Sequence, residues 1–202
     1  MNDATFIPAL IAILIAITVH EFSHAWMAHY LGDPTAKLEG RLSLNPLVHI
    51  DPLGFLMLIF VHFGWAKPVP YNPHYLKNPR SGSLLIALAG PISNFILALV
   101  FSIPLKYISP DSIFVDFFLL SVYINLGLMI FNLIPIPPLD GSKILAFFIP
   151  PRFDRQLASF LHNGPYILFG IIIIEQVTHI GILSPIIIGL IQKIALLLGI
   201  MS

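Results

Sequence analysis

His20-Glu21-Phe22-Ser23-His24 is the segment of this chain whose residue types and spacing best suit chemistry. On a helix, His20 and His24 stand one above the other on one face and can both ligate a single metal ion. Glu21 projects about 100° away, so it reaches a water on that ion without ligating it. This arrangement suits hydrolysis of a peptide bond. A zinc ion with three protein ligands keeps a fourth position open and lowers the pKa of its water to about 7. A carboxylate at position 21 can then take the water's proton and deliver it to the leaving amine.

A third ligand is needed. The chain has no cysteine, which excludes a thiolate zinc site, an Fe–S cluster, a disulfide framework and a cysteine nucleophile together. Glu39, Asp51, Asp111, Asp116, Asp154 and Glu175 fall in loops or near segment ends. Asp140 stands apart, because it follows Asn132-Leu133-Ile134-Pro135-Ile136-Pro137-Pro138-Leu139 and precedes Gly141. Proline interrupts the apolar segment there and glycine permits a sharp turn, so a carboxylate can be presented sideways into a cavity. A Pro-rich helix stop with a surface aspartate accounts for the same residues equally well. From the residues alone, both readings stay open.

The elements around these residues are apolar. Of 202 residues, 57% are hydrophobic and only 10% charged, with a mean hydropathy of +0.90, whereas soluble domains carry about a quarter charged residues. The composition is that of a membrane protein. Ionisable groups inside an apolar segment cost roughly 2.5 to 3.5 kcal/mol each and are functional by default, which weighs against a merely structural role for His20, Glu21 and His24. A formal net charge of zero and a pI near 7.1 offer no basic surface for nucleic acid.

A spanning helix needs about 20 apolar residues. The hydropathy pattern predicts helices over Phe6 to Tyr30, Ser83 to Ile103 and Phe114 to Ile134, with a C-terminal hairpin of Tyr166 to Val177 and Ile182 to Ile200. The first segment lacks a preceding basic residue and a small-residue cleavage site, so it reads as a retained transmembrane helix rather than a signal peptide. Leu31 to Gly82 is rich in Pro, Gly, Asn and His, and its apolar run, Leu53 to Phe63, is short for a span. The expected fold is an all-α polytopic transmembrane bundle of about five or six helices, with a small irregular or β-hairpin insertion between the first two long helices. One domain covers 1–202, with a core over 6–141 and a C-terminal helical hairpin over 157–200. If the insertion returns to the side it left, Lys37, Arg41, Lys67, Lys77 and Arg80 share a side with Lys143, Arg152 and Arg155, opposite Lys106. The positive-inside rule then puts the N-terminus outside and the C-terminus in the cytoplasm.

Two separated motifs resemble the site-2 protease family of intramembrane zinc metalloproteases, peptidase family M50. They are His20-Glu21-Phe22-Ser23-His24-Ala25-Trp26 and Asn132-x-x-Pro135-x-Pro137-Pro138-Leu139-Asp140-Gly141. Gly90-Pro91-Ile92-Ser93-Asn94 is similar to the family's Gly-Pro-x-x-Asn element. The stretches from Leu44 to Gly54 and Gly64 to Pro70 resemble its compact branch, which has no PDZ or CBS domain. The resemblance implies that His20, His24 and Asp140 bind one Zn2+, that Glu21 is the general base, and that Asn132 positions substrate or stabilises the oxyanion. It also implies a transmembrane protein or peptide substrate, cut within or near its spanning segment in the lipid bilayer, in regulated proteolysis or peptide clearance. Ser142 departs from the second glycine that many members carry. Asn94 has two readings, interhelical bonding and substrate contact. His49 reads as a support for the loop beside the site, and His29, His62, His74, His162 and His179 as non-ligands. A transporter with an ionisable path and a metal-binding scaffold without turnover are the rival readings.

Overall fold

The computed structural model describes residues 3–61 and 64–200; His62 and the end of the Leu53 to Phe63 run lie outside them. Its helices are α1 (Asp3–Tyr30), α2 (Thr35–Leu38), α3 (Pro52–Val61), α4 (Pro79–Leu105), α5 (Val115–Asn132), α6 (Asp140–Phe148), α7 (Asp154–Thr178) and α8 (Ser184–Leu197). Four helical stretches are long and apolar enough to cross a membrane: Thr5–Tyr30, Pro79–Leu105, Val115–Asn132 and Pro151–Thr178. The chain is an all-α, multi-pass membrane protein.

Three details differ from the sequence expectation. With its 14 residues, α8 rises only about 21 Å against a hydrocarbon core of about 30 Å, so the second arm of the C-terminal hairpin is shorter than a span. The first arm is longer than expected, because α7 begins at Asp154. Neither does the insertion form a β-hairpin. Among the described residues it holds one isolated antiparallel bridge, Ile50 with Ala66, extended by the Lys67 N–H on the His49 carbonyl at 2.9 Å. Pro46, Pro52, Pro68, Pro70 and Pro73 have no N–H to give a ladder, so pairing cannot spread. The apolar run after Pro52 instead folds as α3, whose 10 residues reach about 15 Å.

At the centre, α1, α4 and α5 pack on one another, α6 lies against α4, and α8 against α5. In lipid the hydrophobic effect does not drive helices together, so close packing of small residues must. On α1 the residues Ala12, Ala16, His20, His24 and Ala28 are all buried and recur every four positions, forming one ridge. On α4 a second four-residue repeat, Ile86, Gly90, Asn94, Ala98 and Ser102, is also buried, and its Ile86, Gly90 and Asn94 meet this ridge. The metal-type residues therefore continue the packing ridge. Their neighbours are dictated by the register of α4 against α1.

Candidate metal centre

His20 and His24 each commit one ring nitrogen to α4. Nδ1 of His20 is 2.6 Å from Asn94 Oδ1, and Nδ1 of His24 is 2.6 Å from the Ile86 carbonyl. Asn94 is oriented by its own amide nitrogen, which donates to the Ala16 carbonyl at 3.1 Å and to Asn125 Oδ1 at 2.9 Å. Asn125 in turn donates to the Ser121 carbonyl at 2.8 Å. Since both partners of the histidines are acceptors, both Nδ1 atoms carry hydrogen and both Nε2 atoms expose lone pairs.

Those lone pairs converge. The two Nε2 atoms are 3.0 Å apart, and Asp140 Oδ2 stands 3.2 Å from His20 Nε2 and 3.1 Å from His24 Nε2. No hydrogen-bond donor satisfies Oδ2. Three acceptors in mutual contact repel unless a cation or a proton lies among them. Tetrahedral ligands at about 2.0–2.1 Å from zinc stand roughly 3.3 Å from one another, close to the separations observed. The N2O donor set fits zinc with a fourth position open, and these three residues are the one such cluster of His, Asp or Glu among the described residues.

Asp140 arrives as the first residue of α6, where the helix dipole favours an anion. The turn that brings it there is tight: a Cβ on Gly141 would stand 2.3 Å from the Leu133 carbonyl oxygen. Lys143 Nζ holds the other carboxylate oxygen, Oδ1, at 3.3 Å, leaving Oδ2 for the histidines. Burial opposes charge on this carboxyl, but positive charge at the histidines and at Lys143 outweighs it and holds the group well below the usual carboxylate range. A divalent cation among the three groups would supply the charge at the histidines. Gly90 floors the cluster, since a Cβ there would come within 2.5 Å of His24 Nε2 and 2.6 Å of His20 Nε2.

Beside the cluster opens a cavity of about 450 Å³ whose wall includes His20, Glu21, His49, Asn132 and Leu139 and is otherwise mostly apolar. Glu21 Oε2 accepts the Val69 N–H at 3.2 Å. Asn132 gives one hydrogen bond to the Leu128 carbonyl at 3.0 Å and lines the cavity. Asn94 is fully buried and bonded to α1 and α5, the contacts its interhelical reading requires. His49, wholly buried, donates Nε2–H to the Ser43 carbonyl at 2.8 Å. His29, His74, His162 and His179 do not join the cluster.

Sequence reasoning missed the Ile86 carbonyl, Asn125 and Lys143, and named Gly90 only as part of a family-like element. The four-residue repeat from Ile86 to Ser102 was the available signal for Ile86 and for the packing of Gly90. Lys143 is one turn beyond Asp140, a spacing at which a helix brings opposite charges together.

The model of peptidase family M50 matches residues 8–110 and 104–174. Among relatives bearing the name of a zinc metalloprotease, YwhC of Bacillus subtilis (strain 168) is 37% identical over 181 residues, covering 85% of this chain and 81% of that protein. MJ0611 of Methanocaldococcus jannaschii is 35% identical over 142 residues, 69% of this chain and 70% of that protein. Rip2 of Mycolicibacterium smegmatis is 30% identical over 161 residues, 76% of this chain and 61% of that protein. No solved structure matches the chain significantly. A chain matched over most of its length by this family's model, and by relatives so named, belongs to peptidase family M50 and is a multi-pass membrane zinc metallopeptidase.

Proposed function

We propose that the protein hydrolyses peptide bonds within or near the transmembrane segments of other membrane proteins, with His20, His24 and Asp140 holding the zinc and Glu21 as general base. The observation that carries this reading is the convergence of three lone-pair donors, 3.0 to 3.2 Å apart, beside a largely apolar cavity that His20 and Glu21 line, among helices long enough to span. When bound there, zinc supplies Lewis acidity and a water of lowered pKa. Glu21 accepts the proton of the attacking water. As that water's oxygen bonds to the carbonyl carbon and the C–N bond breaks, the carboxyl returns the proton to the amine nitrogen. Asn132, on the cavity wall, has a second amide hydrogen to offer a developing oxyanion.

Topology follows from the basic residues. α3 is too short to span, which supports the insertion's return to the side it left. Lys37, Arg41, Lys67, Lys77 and Arg80 then share a face with Lys143, Arg152 and Arg155, and of the basic residues outside α8 only Lys106 lies opposite. The positive-inside rule makes that face cytoplasmic, with the N-terminus outside and the zinc in the cytoplasmic half; four spans return the chain after α7 to the N-terminal side, so a C-terminus inside requires α8 to cross as well. The test is cleavage of a reporter transmembrane peptide by purified protein. Glu21→Gln should abolish cleavage while zinc stays bound; intact cleavage by a zinc-loaded Glu21→Gln protein would sink the reading.

A further inference from the structure

Arg41 is buried to 4% exposure, and no carboxylate lies within ion-pair distance of it among the described residues. Its Nη2 donates to the carbonyls of Lys67 and Pro68, the latter at 3.4 Å. Nε and Nη1 find no acceptor among the described residues. A buried guanidinium without a counter-charge is costly. What it touches therefore matters.

The Pro68–Val69 peptide unit is what it touches. The carbonyl of that unit faces Arg41, and its N–H faces Glu21 Oε2. In a trans peptide these two groups point in opposite directions, so Arg41 and Glu21 flank a single peptide plane. Pro68 and Pro70 have no N–H, and the Lys67 N–H is taken by the His49 carbonyl. Val69 is left as the one backbone donor available to Glu21 between Lys67 and Pro70.

We propose that Arg41 is a positioning residue for Glu21: by gripping the Lys67 and Pro68 carbonyls it fixes the tilt of the 68–69 peptide, which pins Oε2 and leaves Oε1 to the attacking water. This rests on the reading of Glu21 as general base. A guanidinium that merely fastened the loop would affect folding and leave the rate of the folded enzyme alone.

The experiment uses the full chain in proteoliposomes with a reporter transmembrane peptide. Four readouts are taken on Arg41→Met, Arg41→Lys and Val69→Pro: kcat, KM, zinc content, and amide exchange of the 67–70 segment. In that segment only Lys67 and Val69 carry backbone amide hydrogens, both prolines being silent, and the Lys67 amide, bonded to the His49 carbonyl, serves as the internal reference. Arg41→Met should lower kcat about tenfold or more, with KM within about twofold and zinc content unchanged. Exchange at Val69 should quicken about tenfold, in metal-free protein as well. Arg41→Lys, which can still bond a carbonyl, should recover most of the rate. Val69→Pro deletes the donor itself and should match Arg41→Met, the double variant being no more than about twofold worse than either. Unchanged kcat and Val69 exchange in Arg41→Met, or additive losses in the double variant, overturn the proposal. If Arg41→Met does not fold, Arg41→Leu and its double with Val69→Pro, which also remove the grip on the carbonyls, give the same comparison. An active, zinc-loaded Glu21→Gln protein would refute the role of Glu21 instead, while the exchange result would still report on the Arg41 grip.

Discussion

Adding one methyl group at Gly90 should remove the metal. Its Cβ would stand 2.5 Å from His24 Nε2 and 2.6 Å from His20 Nε2, about 0.9 Å inside an ordinary contact of roughly 3.4 Å. Both neighbours are the atoms that carry the exposed lone pairs, and both rings are tethered through Nδ1. Relief requires either parting α1 from α4 or swinging the imidazoles off their α4 partners. Overpacking costs about 1–3 kcal/mol, while alanine in a helix interior returns up to about 1 kcal/mol relative to glycine, so the fold should persist. The zinc site has no such compensation. Loss of even one ligand's geometry should weaken binding by about a hundredfold or more, exceeding the 10- to 100-fold typical of outer-shell changes. The assay is chelator competition, with metal content after dialysis as a second readout. Gly170 and Gly189, where an added Cβ meets nothing within 4 Å, provide Gly170→Ala and Gly189→Ala as controls. Zinc affinity in Gly90→Ala within about threefold of the parent would refute the account of how these rings converge.

Asn94→Leu should weaken zinc binding about 10- to 100-fold, by freeing the His20 ring and leaving Asn125 Oδ1 and the Ala16 carbonyl short of a donor; chelator competition measures it. Gly164→Ala puts a Cβ 2.4 Å from the Pro137 ring and should destabilise the docking of α7 by about 1–3 kcal/mol, seen as a lowered thermal midpoint in detergent with zinc affinity preserved.

Hydropathy located α1, α4 and α5 closely, because an uninterrupted apolar segment has few alternatives in a bilayer. The His20 to His24 spacing and the proline break before Asp140 were legible for a similar reason: each is local, and local geometry decides it. Asn94 was not, since its role depends on which face of α4 meets α1, and only packing decides that. Arg41 counts among the charges that orient the chain, and it is also buried against carbonyls 26 and 27 residues away, a burial no periodicity announces. The β-hairpin expectation failed on chemistry already present in the sequence, the prolines on either side of the Ile50–Ala66 bridge.

The size of the cavity beside the metal cluster bears on what can be cut. An α-helix with its side chains is about 10–12 Å across, so a space of about 450 Å³ holds little more than one turn of it. An extended strand of a few residues fits far better. Selection among substrates would then act through how readily a helix surrenders its hydrogen bonds, more than through any side-chain code. Two peptides of equal hydropathy, one with a Gly-Pro kink and one a run of leucines, would differ at the door rather than at the scissile bond.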